Sequence, residues 1–201
     1  MRRHLFTIAL TAMTLVGGGA ALGATTGAPA PGFTITDTGG KAVRLEDYRG
    51  KYVVLEWTNP ECPFVRKHYS SGNMQGLQKE WGAKDVVWLA VNSTNTSRGE
   101  YKTGEQMLQW MRAQDAAPKA TLIDGTSATG RAYGAKTTPH MFVIDPAGKV
   151  VYAGAIDDKR SANPADAKTA HNYVRAALTE VTSGKPVSVA TTTPYGCSVK
   201  Y

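Results

Sequence analysis

The sequence predicts one α/β domain of three layers, a central mixed β-sheet flanked by helices, followed by an irregular C-terminal tail. Three observations point there. Two continuous apolar runs, YVVLEW (52–57) and VVWLAVN (86–92), have the length and composition of central strands covered on both faces. Segments with apolar residues at helical spacing alternate with these runs. A third run, MFVID (141–145), is joined by the turn PAGK to VVYAGAI (150–156), a hairpin that makes the sheet mixed.

The elements follow in order. TTGAPAPGF (25–33) reads as a flexible lead-in, and FTITDTGGKAVRLEDYRGK (33–51) as a hairpin turning at Gly39-Gly40. From Phe64 to Trp81, Val65, Tyr69, Leu77 and Trp81 share a helical stripe that Gly72-Asn73 kinks or breaks. EQMLQWMRAQ (105–114) sets Met107, Leu108 and Met111 on one side. HNYVRAALTEV (171–181) does the same with Val174, Ala177, Leu178 and Val181. These methionines and aliphatics are core fillers. DDKRSANPADAKTA (157–170) reads as a polar loop, and the tail over 185–201 is too apolar to be wholly disordered.

The chain has 201 residues. Residues 1–24 carry Arg2 and Arg3, an apolar stretch and small residues suited to cleavage near Gly23 or Ala24, the pattern of a Sec-type signal peptide. Gly17, Gly18 and Gly19 interrupt the run before the roughly 20 apolar residues that a membrane span needs. The expectation is a periplasmic or secreted protein, free of the membrane after cleavage, with residues 25–201 as a single domain. Loss of Arg2 and Arg3 lowers the formal charge from +7 to +5. No Lys/Arg block exceeds two residues, so nucleic-acid binding is not indicated.

The chain has two cysteines, Cys62 and Cys197. In an oxidising compartment one internal pairing is possible, and a structural disulfide is the plain reading. Cys62 has a local argument for more. A buried strand ends at Trp57, a short bend follows, and Pro63 suits the first position of a helix because its missing N–H would be unpaired there. Cys62 is then the N-cap, near free backbone N–H groups and the positive end of the helix dipole, where thiolates are favoured and reactive cysteines recur. Arg66 and Lys67, one turn on, add positive charge. The competing reading is a small buried apolar residue after a strand. In AKTTPHMFVID, Thr138-Pro139 leads straight into a strand. A cis bond there would lay Thr138 against the Cys62 helix start and present its backbone to a disulfide or oxidant; a plain turn is the alternative.

Taken together, YVVLEWTNPECPFVRKHY, AVNST, YGAKTTPHMFVIDPAGKVVYAGAIDD and the ending GCSVKY resemble the redoxins, the peroxiredoxin-like (AhpC/TSA-related) branch of the thioredoxin-fold superfamily. The resemblance runs from about residue 30 to the end. It implies a thioredoxin-like three-layer sandwich, a cis proline at Pro139 and an active cysteine at Cys62. The departures are informative. Where relatives carry a cysteine three positions earlier, this chain has Asn59, and three positions later it has Val65, so no C-x-x-C exists. Thr58 stands four residues before Cys62, with Pro60 intervening, whereas peroxiredoxins place a threonine three before.

Cys197 is then the remaining partner. If the tail folds back over the helix start, Cys62 attacks a hydroperoxide or a protein disulfide, and Cys197 resolves the product. Gly196 would give the tail freedom to open and close. The rival is a permanent Cys62–Cys197 staple worth about 4–5 kcal/mol in the chain-entropy model.

The candidate site is therefore Cys62 and Cys197 as catalytic pair, with Thr58, Thr138 and Pro139 positioning substrate. No metal and no bound cofactor is expected, since sulfur carries the electrons, and a thioredoxin-like protein would return them. A Cys/His metal site from Cys62, His68 and His140 lacks ligand spacing. His68 reads as a partly exposed helix residue and His171 as an exposed one at a helix start. Asp145 reads as a turn cap and Asp157-Asp158 as a loop. No phosphate-binding glycine motif is present. The alternative of another class is a non-catalytic thioredoxin-fold domain that binds a metal or a protein partner and uses Cys62–Cys197 as a fixed bridge.

Overall fold

A computed structural model of the protein describes residues 23–201; the leader read over 1–24 lies, but for its last two residues, outside the described residues. The elements are β1 (Thr34–Asp37), β2 (Ala42–Arg44), β3 (Val53–Trp57), α1 (Pro63–Ser70), α2 (Asn73–Gly82), β4 (Val87–Asn92), α3 (Gly104–Ala113), β5 (Ala120–Ile123), α4 (Ala128–Tyr133), β6 (Thr137–Thr138), β7 (His140–Ile144), β8 (Val150–Gly154), α5 (Tyr173–Thr182) and β9 (Cys197–Ser198). Seven strands form one sheet in the order β2-β1-β5-β4-β3-β7-β8, while β6 and β9 form a separate pair. The β3–β4 and β4–β5 pairs are parallel; β3–β7, β7–β8, β1–β2 and β1–β5 are antiparallel. The mixed sheet and its helical layers are as the sequence predicts.

Every residue of β3, β4 and β7 is buried, as their unbroken apolar runs require. Alternate side chains feed two cores. Val54, Trp88, Ala90, Met141 and Val143 pack with residues of α1, α2, α3 and α5 on one face. Leu55, Trp57, Leu89, Val91 and Phe142 pack on the other with Tyr133 of α4 and the N-terminal hairpin. Each such aliphatic or aromatic burial contributes about 1.5–3 kcal/mol. The break inside the 64–81 stripe lies at Gly72, whose φ of +76° lets the chain turn between α1 and α2.

Two expectations change. The lead-in is not loose: Gly27 N–H donates to Val150 O at 2.7 Å and Ala30 N–H to Gly148 O at 2.9 Å, so it is pinned along the β7–β8 hairpin. The polar loop over 157–170 carries a short 3-10 helix, Pro164–Lys168, capped by Asn163, whose side chain accepts from Ala165 N–H. Strand β5 and helix α4 have no counterpart in the sequence reading, since ATLI and ATGRAY are too short to show a period. Among the described residues no helix is long and apolar enough to cross a membrane.

One buried charge lies within the central strand. Glu56 on β3 is fully enclosed, its Oε1 accepting from Tyr69 and its Oε2 from Trp88 and Gln78. Desolvation raises its pKa to about 7 despite those hydrogen bonds. An unfolded glutamate titrates near 4.5, so between that value and about 7 the folded state retains a proton that the unfolded state has released. Stability therefore falls as pH rises through this window, by about 3 kcal/mol in all. Glu56→Gln fits the same pocket: its amide oxygen accepts from Trp88 and Gln78, its NH2 donates to Tyr69, and the Tyr69 hydroxyl turns to Met111 Sδ at 3.7 Å. Urea denaturation at pH 5 and pH 8 should show the variant gaining on wild type at the higher pH. Parallel pH profiles would mean the carboxyl is unperturbed. His68 and His140, both held neutral by burial with pKa values near 3, act in the opposite direction below pH ~6.5 and cancel in this comparison.

Candidate active site

The sheet brings the two sequence motifs to one end. β3 and β7 are antiparallel with Trp57 opposite His140, so the chain leaving β3 and the chain entering β7 meet at the same edge. The bend after β3 is built by Asn59: its Oδ1 accepts from Glu61 N–H, its Nδ2 donates to Thr94 Oγ1, and its carbonyl accepts from Cys62 N–H. Asn59 thus shapes the loop. α1 then starts at Pro63 with Cys62 as its extended N-cap. The Thr138–Pro139 bond is cis.

Cys62 is 2% exposed, and its Sγ–H donates to Thr138 O at 2.9 Å. The sulfur makes no capping hydrogen bond to the helix amides, so its partner is a carbonyl across the site rather than the first turn of α1. The two basic residues of α1 are engaged elsewhere. Arg66 donates to Pro60 O and to Glu61, bracing the bend, and Lys67 is buried against Asp157.

Cys197 arrives from the tail. β9 pairs antiparallel with β6, Thr138 opposite Cys197, and Val199 N–H donates to Lys136 O. Both cysteines are free thiols, and Cys62 is near enough to affect the titration of Cys197. Cys197 has its pKa pushed up to about 11, first by burial, then by its hydrogen bond to Cys62 and the Cys62 charge, with Lys200 opposing. Gly196 has a stricter role than flexibility. Its φ is +137°, and a Cβ there would lie 2.0 Å from Thr138 O, so only glycine lets the tail lie flat on the carbonyl that holds Cys62. Further anchors are Arg98 to Tyr201 O at 2.6 Å and Tyr201 OH to Ala135 O at 2.5 Å. Hydrogen bonds thus hold the tail to the domain from Ser188 to Tyr201.

Four of the five expected site residues, Cys62, Thr138, Pro139 and Cys197, are therefore together. Thr58 is not joined to them: its Oγ1 is buried without a hydrogen-bond partner and makes no bond to Cys62. His140 Nδ1 accepts from Lys136 N–H. Among the described residues no three His, Cys, Asp or Glu side chains are grouped to hold a metal ion.

Two polar residues are more enclosed than their sequence context predicts, and a third joins them without any local signal. His68 is fully buried, not partly exposed, and Asp157, in the loop after β8 as expected, is not solvated: Lys67 Nζ lies 3.3 Å from its Oδ2 with both side chains inaccessible. Tyr195 joins them, donating to Asp157 Oδ1 and lying 3.2 Å from Lys67 Nζ and 3.3 Å from His68 Nε2. The only sequence signal was the polarity of Lys67 and His68 on the helix face beside Phe64.

The AhpC/TSA family profile matches residues 26–153, which ends at β8 and leaves the tail outside. A thiol-disulfide oxidoreductase ResA of Bacillus cereus is 31% identical over 126 residues, covering 62% of this chain and 66% of its own length. ResA of Bacillus subtilis is 30% identical over 125 residues, 62% of this chain and 64% of its own length. The chain thus spans just under two thirds of these curated relatives. Among solved structures, an uncharacterized conserved protein from Geobacillus kaustophilus superposes with a TM-score of 0.78 at 30% identity, over 88% of this chain and 92% of the other. A putative thiol:disulfide interchange protein DsbE from Chlorobium tepidum gives 0.54 at 28% identity, over 65% and 84%. These neighbours share the mixed sheet and its flanking helices.

Proposed function

This chain belongs to the AhpC/TSA family, and from that premise we propose that it is a thiol oxidoreductase acting by disulfide exchange, with Cys62 as nucleophile and Cys197 as resolving thiol. The observation that carries the reading is the shared seat at Thr138. Its carbonyl accepts the Cys62 thiol, and its backbone pairs with a cysteine-bearing strand, so an extended cysteine segment fits beside Cys62. A protein disulfide presents such a segment. The hydroperoxide reading is less favoured because Thr58 makes no bond to the sulfur.

In the forward step the Cys62 thiolate attacks one substrate sulfur, forming a mixed disulfide and releasing the other sulfur as thiolate. Cys197, deprotonated, then attacks the Cys62 sulfur, closes Cys62–Cys197 and expels the second substrate thiolate. The substrate gains two electrons and the enzyme loses two; a thioredoxin-like dithiol returns them. The order has a physical basis. Cys62 contributes to holding Cys197 protonated, and that contribution disappears once Cys62 is bonded to substrate. Export to an oxidising compartment, read from residues 1–24, is part of the proposal.

The test is trapping. Reduced wild type and Cys197→Ser are mixed with a peptide disulfide and examined by intact mass. Wild type should end as Cys62–Cys197 with free peptide thiol, and Cys197→Ser as a stable Cys62–peptide adduct. Slow, equal oxidation of both thiols without an adduct would leave the binding-domain reading with a fixed bridge. Faster loss of thiol to a hydroperoxide than to the peptide would move the assignment to peroxide reduction.

A further inference from the structure

The Lys67–Asp157–Tyr195–His68 cluster is buried and not used by the chemistry above. We propose that Tyr195 is a positioning residue for the resolving step: its buried hydroxyl latches the tail onto the helix that carries Cys62 and sets how often Cys197 stands against that sulfur. This rests on the disulfide-exchange reading.

The cluster joins three separate parts of the chain. Lys67 and His68 belong to α1, whose N-cap is Cys62; Asp157 follows β8; Tyr195 lies two residues before Cys197. The Tyr195 hydroxyl is fully used. His68 Nδ1 faces the Asn73 side-chain amide at 2.9 Å, and the Oδ1 of that amide accepts from Asn172, so Asn73 presents its NH2 to Nδ1. His68 is neutral, which leaves its proton on Nε2, directed at Tyr195. The hydroxyl therefore accepts from His68 and Lys67 and donates to Asp157. Phe64 meets the Tyr195 ring edge-on at 5.8 Å.

Between this hub and the sulfur stands only Gly196, lying on Thr138 O. Two residues span at most about 7 Å, so there is no slack, and the seat of Tyr195 is the seat of Cys197. When Tyr195 leaves, Lys67 and Asp157 keep each other, and Lys67 keeps the Lys159 carbonyl at 2.6 Å. The tail can thus detach without stranding a buried charge. Detachment is needed, because Cys62 is 2% exposed and a protein disulfide must reach it.

A latch makes two effects of opposite sign, which general destabilisation does not. Tyr195→Phe keeps the ring and removes the three hydroxyl bonds. In a Cys197→Ser background, Cys62 should react about tenfold faster with a bulky maleimide. With both cysteines present, the equilibrium constant for closing Cys62–Cys197 against glutathione disulfide should fall about tenfold, a change of about 30 mV for a two-electron couple. Phe64→Leu should move both readouts the same way by less, and serves if Tyr195→Phe does not fold. Val189→Ser, at the exposed base of the tail, should move neither. Unchanged readouts, or both falling together, overturn the proposal. The maleimide readout needs no turnover. A Cys62 that opens in Tyr195→Phe yet forms no disulfide in any variant would refute the disulfide-exchange reading, and with it the role in resolution, while the hydroxyl's hold on the tail stands.

Discussion

Cys62→Ser should reduce disulfide exchange by at least about three orders of magnitude, to the uncatalysed level, with the fold intact. A hydroxyl cannot form the mixed disulfide, and no second thiol can replace it: Asn59 and Val65 occupy the neighbouring positions, and Cys197 without Cys62 has no partner. The substitution itself is mild. The smaller Oγ–H can still donate to Thr138 O, and one atom changes within a packed core, so the stability cost should stay within about 1–2 kcal/mol. The measurement is turnover of a peptide disulfide with a dithiol reductant, alongside urea denaturation. Activity within tenfold of wild type in a folded Cys62→Ser protein would remove Cys62 from the chemistry.

Asp157→Ala should be the most destabilising single change outside the hydrophobic cores. Lys67 and Asp157 are both enclosed, and removing the carboxylate strands a buried ammonium, which costs about 3–5 kcal/mol. It also leaves the Tyr195 hydroxyl without its acceptor. For a domain of this size the loss corresponds to a fall in Tm of about 6–20 °C. The double variant Lys67→Met/Asp157→Ala should lose less than Asp157→Ala alone, because no charge is stranded. Additive losses in the double variant would mean that the two side chains act independently and that the pair is not an ion pair in solution.

The parts of this protein that were legible from its residues share a cause: their signals are local. YVVLEW and VVWLAVN needed only composition to read as enclosed strands, and PAGK between two such runs needed only its turn chemistry. Pro63 after Cys62 identified a helix start because proline at the first helical position costs nothing. What stayed hidden was non-local. Strand β5 is four residues long, and only its place beside β1 and β4 makes it a strand. Glu56 stood in plain view inside an apolar run, a charge that had to find donors, but Tyr69, Trp88 and Gln78 are distant in sequence. His68 read as partly exposed because polar residues on a helix face usually are, and Lys67 read as a charge serving Cys62; the tail and the segment after β8 turn both inward.

By itself the sequence determined the chemistry on offer: one cysteine at a helix start, a second in the tail, and the alternating apolar segments of a mixed sheet. The tertiary structure decided which groups meet. It set Thr138 O against Cys62, brought Cys197 to the same carbonyl through Gly196, and closed Lys67, Asp157, His68 and Tyr195 into one buried cluster. A strand or helix start is specified by its neighbours in the chain, whereas the partner of a thiol or a buried charge is specified by packing across the fold, for which no local pattern exists.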